Sequence, residues 1–122
     1  MLIRKLDGLP GSTAGDASFL RELFHPDRSA LDIRYSLAHA VVRPGRRTAP
    51  HRLRSSEVYY ILEGRGLMRI DGEEAEVRKS DAVYIPPGSL QHIENIGPDD
   101  LTFLCIVDPA WKTEDEEVLK ED

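Results

Sequence analysis

The chain has 122 residues, 40% of them hydrophobic and 31% charged, with a net charge of -6. That length leaves room for a single core, and the composition falls outside the disordered, collagen-like and membrane classes. The negative charge argues against a nucleic-acid surface, which needs clustered Lys and Arg to neutralise phosphates.

In chain order, Met1–Asp7 has no apolar stretch of the signal-peptide kind and reads as a short first strand. Leu6–Asp16, rich in Gly, Ser and Pro, predicts a loop, and Ala17–His25 a strand or a helix, with strand the preferred reading. Residues 1–30 are thus an N-terminal extension of one domain. Between Leu31 and Val107 short β-type runs alternate with Gly, Pro and Asp turn signals, the pattern of an all-β sandwich or barrel. The predicted strands are Ile33–Arg43, Ser56–Glu63, Gly66–Ile70, Glu74–Arg78, Ala82–Pro86, Gln91–Asn95 and Leu101–Val107. Asp71-Gly72 marks a tight hairpin, because a type I′ turn needs positive φ at both central residues.

The barrel is expected over 31–110. Residues 111–122 carry the run Glu114-Asp115-Glu116-Glu117 and read as a short exposed acidic helix or tail, anchored by Trp111. The single cysteine, Cys105, lies in an apolar run and permits no intrachain disulfide. No run approaches the roughly 18 apolar residues of a membrane span, so the expected location is cytoplasmic. Arg43, Arg46, Arg47, Arg52 and Arg54 read as a solvated rim, or as a patch for an anionic ligand.

Two motifs carry the chemistry. Gly45, His51, Glu57 and Gly64, at their spacing, resemble the first cupin motif. The stretch Asp81…Pro86-Pro87-Gly88…Gln91-His92…Asn95 resembles the second, with Ser80 in place of its opening Gly. The resemblance covers about Ile33 to Val107. It points to the cupin superfamily, with some likeness to its mannose-6-phosphate isomerase-like and uncharacterised members. It implies an all-β double-stranded β-helix, a jelly-roll barrel that is often dimeric. In metal-binding cupins the first motif supplies two His and one Glu, and the second a third His. Here the second position is Leu53 and the third is Gln91. The implied metal set is therefore His51, Glu57 and Gln91, with His92 admitted if a β-bulge re-aims it. The cofactor would be one divalent transition metal: Fe, Mn, Zn, Ni or Cu.

Strand alternation places Glu57, Tyr59 and Ile61 on one face, and a carboxylate turned into an apolar barrel must be paired or coordinated. His51 is one partner, making an acid–base site with Glu57 as catalytic residue. The alternative is a polar cluster satisfied by Gln91, Tyr hydroxyls and water. Tyr59 and Tyr84 are the candidate substrate-binding aromatics. His39 could enter the lumen or pack as a core histidine, and His25 reads as a turn residue.

Two functions follow. One is metal-assisted isomerase, lyase or dioxygenase chemistry on a small polar metabolite. The other is metal-free binding of a sugar-like or other small ligand. The expected partners are a small molecule and a second copy of the chain, the latter met through an N-terminal strand; neither nucleic acid nor membrane is expected.

Overall fold

The computed structural model describes residues 1–13 and 18–119, and over them the chain forms two antiparallel sheets. The first contains, in spatial order, β1 (Ser12–Thr13), β2 (Phe19–Phe24), β3 (Ser36–Val42), β10 (Leu101–Asp108), β5 (Ser56–Glu63) and β8 (Ala82–Ile85). The second contains β11 (Glu116–Val118), β4 (His51–Leu53), β9 (Gln91–Asn95), β6 (Arg65–Ile70) and β7 (Glu73–Arg78). From β3 onward the chain crosses repeatedly between the sheets, and their inner faces enclose the lumen of an all-β jelly-roll barrel. No helix among the described residues is long and apolar enough to cross a membrane.

The ends depart from expectation. No strand precedes Leu6; a single 3-10 turn spans Leu6–Gly8, and β1 lies inside the expected loop, paired with β2 of its own chain. Ala17, the first residue of the predicted second strand, lies outside the described residues, and β2 begins at Phe19. The third strand starts at Ser36, not Ile33. The acidic segment is neither a helix nor a loose tail. A 3-10 turn over Thr113–Asp115 leads into β11, which pairs with the edge of β4 in the register Glu116↔Leu53. Residues 120–122 of that prediction lie outside the described residues.

One end of the lumen is densely packed. Ala40, Val42, Tyr59, Ile61, Met68, Ile93, Leu101 and Phe103 interdigitate there, and burying each large apolar side chain is worth roughly 1.5–3 kcal/mol. Tyr59 and Phe103 meet ring to ring at 4.4 Å between centroids. Asn95 pegs this end shut, its Nδ2 donating to the carbonyls of Val42 and Asp99 and its Oδ1 accepting from Gly97 N–H. Gly64 has φ +93°, and a Cβ there would stand 2.7 Å from the Asp100 carbonyl oxygen, so the β5–β6 turn closes only with glycine. Asp71 and Gly72 both take positive φ, as the I′ hairpin requires, and Ser80 takes the positive φ of the missing motif glycine.

The two outer faces differ in kind. On the second sheet Arg65, Arg69 and Arg78 pair with Glu74 and Glu76 at 2.7–3.1 Å, a ladder suited to water. On the first sheet the outward rows carry Leu37, Val41, Val58, Tyr60, Leu104 and Ile106, with Tyr84 62% exposed at the β8 edge.

Candidate functional site

The inward residues of three strands meet at the centre of the lumen. β5 contributes Glu57 and Tyr59, β4 contributes His51 and Leu53, and β9 contributes Gln91; all five are buried. Gln91 Nε2 donates to Glu57 Oε1 at 2.9 Å, and Tyr59 Oη donates to Gln91 Oε1 at 3.1 Å. His51 lies directly opposite Gln91 in the β4–β9 register. Its Nδ1 donates to the Ala49 carbonyl at 2.9 Å, so Nδ1 carries a proton. The alternative in which Gln91 and a Tyr hydroxyl satisfy Glu57 is thus realised in the hydrogen bonding.

The donor set does not suit a metal ion. Leu53 fills the second imidazole position with a buried aliphatic side chain. Gln91 turns its amino group towards Glu57, because a carboxylate accepts and cannot donate. Its carbonyl oxygen, the only atom with which it could ligate, is engaged with Tyr59. Flipping the amide towards a metal would break both hydrogen bonds. No group of three or more His, Cys, Asp or Glu side chains that could hold a metal exists among the described residues.

His92 is not re-aimed inward. β9 pairs with β6 in unbroken register from Gly66↔Asn95 to Ile70↔Gln91, so no bulge intervenes and His92 falls on the outer face opposite Arg69. Tyr84 likewise points out and not into a pocket. Tyr59 is buried beneath the cluster. His39 is on the outer face of β3, in register with Arg21 and Leu104, where burial first and the Arg21 charge second lower its pKa below the ordinary 6.5. None of the five rim arginines lines the barrel cavity; Arg43, Arg46, Arg47 and Arg54 are exposed and Arg52 is half-buried.

Beside the cluster the barrel opens into a cavity of about 610 Å³. It exists because the inward rows at this end carry small residues: Ser36 and Ala38 on β3, Cys105 and Val107 on β10. The large side chains of the packed end have no counterpart here. Of the polar cluster, Glu57 is the member that reaches the cavity wall. The N-terminal arm covers one side through Leu9 and Pro10, and Trp111 covers another.

His25, which the sequence marks only as a turn, fixes this cover. Its Nδ1 accepts from the Asp27 N–H at 3.1 Å, so Nε2 carries the proton donated to the Trp111 carbonyl at 2.7 Å. Trp111 N–H donates to Ser36 Oγ at 3.0 Å and its indole Nε1 to Glu116 at 3.1 Å. Cys105 is a buried thiol in the same wall.

The barrel, its crossing topology and its two lumen motifs define a cupin. Residues 38–107 match the cupin domain family, and the chain belongs to that family. The match is to the domain as a whole and does not single out the mannose-6-phosphate isomerase-like members. The chain is 47% identical over 106 residues to an uncharacterised protein of Methanocaldococcus jannaschii, covering 86% of this chain and 84% of that one. It is 43% identical over 60 residues to the dimethylsulfoniopropionate lyase DddW of Ruegeria pomeroyi, covering 49% of this chain and 39% of the enzyme. Among solved structures, a protein of Photorhabdus luminescens superposes with a TM-score of 0.77 at 26% identity, covering 94% of this chain and 91% of that one.

Proposed function

We propose that this cupin takes a small organic ligand in the cavity at the open end of its barrel, without a metal, and that Glu57 is the group the ligand meets. The observation that carries this is the Gln91–Glu57 hydrogen bond. It fills with an amide donor the place where a metal would draw on an acceptor, and it holds the carboxylate at the cavity wall. A carboxylate offers about four lone-pair sites, so Glu57 can accept from more than one donor at a time, a ligand among them. Glu57 is also the proposed catalytic residue: a buried carboxylate can take a proton from a bound molecule, the step that starts an elimination of the lyase type. Thermal shift of chelator-treated protein against a metabolite library tests this. Ligands that raise Tm in the wild type and fail to do so in Glu57→Gln are expected; ligands that act only after metal is added would overturn it.

A second reading has its own support in the register of His51 against Gln91 beside Glu57. One divalent transition metal on His51, Glu57 and Gln91 would supply Lewis-acid or oxygen chemistry, and it requires the Gln91 amide to turn over.

The protein is further proposed to be a homodimer through the outer face of its first sheet. The contrast with the ion-paired face opposite supports this: the outward rows of β3, β10, β5 and β8 are mainly apolar around His39 and expose Tyr60, Tyr84 and Ile106, and an exposed apolar patch marks an interface.

A further inference from the structure

One wall of the cavity is the inner face of the first sheet, and its charges sit at opposite ends. Glu22 on β2 is in register with Ala38, Ala38 with Cys105, and the next row brings Val107 to Glu57. Three strand spacings and a two-residue step along β10 therefore separate Glu22 from Glu57, about 16 Å at ~4.8 Å per strand and ~3.4 Å per residue. Between them the wall is small or apolar: Ala38, Cys105 and Val107, with Leu20 beside them on β2 and Leu9 of the N-terminal arm also lining the cavity.

At the β2 end stand two guanidinium groups. Arg28 is already neutralised, hydrogen-bonded to Glu22. Arg4 is not: it donates to Ser29 Oγ at 2.5 Å, and no carboxylate among the described residues pairs with it. A guanidinium carries five N–H donors in a planar fork matched to a carboxylate, and one bond to a hydroxyl leaves most of that capacity for a ligand. At the far end stand Glu57 and, under the Trp111 indole, Glu116. The wall thus carries Arg4 and Arg28 against Glu22, Glu57 and Glu116. A dianion would meet repulsion at the far end, and a neutral ligand would leave both ends unmatched.

Building on the reading that this cavity is the ligand site, we infer that it takes a small linear zwitterion, with its carboxylate at Arg4 and its ammonium at Glu57. Side chains reach in from both ends of the ~16 Å span, which leaves room for a chain of about four to six carbons at ~1.3 Å advance per carbon, on the dimensions of extended backbone.

Trp111 is the single tryptophan and lines the cavity, so its fluorescence reports occupancy. The experiment is a fluorescence titration, repeated by calorimetry, with 5-aminopentanoate, pentanoate, pentylamine and glutarate. The zwitterion is expected to bind at least tenfold more tightly than any of the other three. Arg4→Met should weaken 5-aminopentanoate and pentanoate about tenfold and leave pentylamine unchanged, while Glu57→Gln should weaken the two amines and spare pentanoate. Arg4 is near the surface, and Arg4→Lys, which keeps the charge, should restore part of the affinity. Tighter binding of glutarate or pentanoate than of the zwitterion, or indifference of 5-aminopentanoate to Arg4→Met, would overturn the inference. If other library compounds still bind in a Glu57-dependent way, the ligand class alone is wrong. If nothing binds at all, the reading of the cavity falls with it.

Discussion

Gln91 and Glu57 stand on strands of opposite sheets, and the 2.9 Å hydrogen bond between their side chains joins the two walls of the barrel through its lumen. Removing the amide leaves a buried carboxylate short of a donor. Gln91→Leu is therefore expected to cost roughly 1–3 kcal/mol in urea unfolding. Gln91→Glu sets two carboxyls against each other and raises the folded-state pKa of one of them. That variant should be more destabilised at pH 7 and recover as the pH falls through the raised value. A Gln91→Leu variant as stable as the wild type would show that the bond does not hold the walls.

The lumen geometry that fails to suit a metal can be made to suit one. His51 and position 53 face inward from β4, and position 91 faces them from β9. The double variant Leu53→His, Gln91→His supplies three imidazoles and Glu57, and it is expected to take up about one divalent transition metal per chain where the wild type takes up far less. Equal uptake by both proteins would count against the account of Gln91 given above.

His39 makes the stability depend on pH. Its folded pKa lies below the ordinary 6.5, through burial and then Arg21, so between those two values the unfolded chain binds more protons than the folded one. Stability from this site is complete above about pH 6.5 and is lost as the pH falls through the window below it. His39→Gln should flatten the Tm profile in that window. An unchanged profile would assign the acid sensitivity to other groups.

Tyr60 and Ile106, 40% and 37% exposed, lie on the apolar outer face. If that face joins two copies, Tyr60→Asp with Ile106→Asp should halve the mass seen by light scattering at micromolar concentration and leave the fold intact. A wild type that is already monomeric there would remove the dimer.

Much of the barrel was legible because its strands obey period-two alternation and are bounded by turn residues. Ser56–Glu63 and Gln91–Asn95 were read to the residue, and the positive φ of Asp71 and Gly72 follows from the dipeptide. β4 was missed because three residues after Pro50 give no periodicity. β11 was missed because Glu116-Glu117 reads as solvated, and a local reading cannot see that the edge of β4 waits to be paired. The inward face of Glu57 follows from alternation, that of His51 and Gln91 from the motif resemblance, and the outward turn of His92 from alternation once a bulge is absent. The cavity was not legible. It comes from small residues spread over β3 and β10, and from a His25–Trp111 contact between residues 86 apart in the chain.

Elemental analysis of untagged protein prepared without chelator, beside His51→Ala, tests the metal-free account most directly when the same samples are titrated with a ligand from the thermal screen. The prediction is transition metal well below one per chain in both proteins, with the ligand response of Trp111 unchanged by chelator. Close to one metal per chain in the wild type, lost in His51→Ala together with ligand binding, would contradict it.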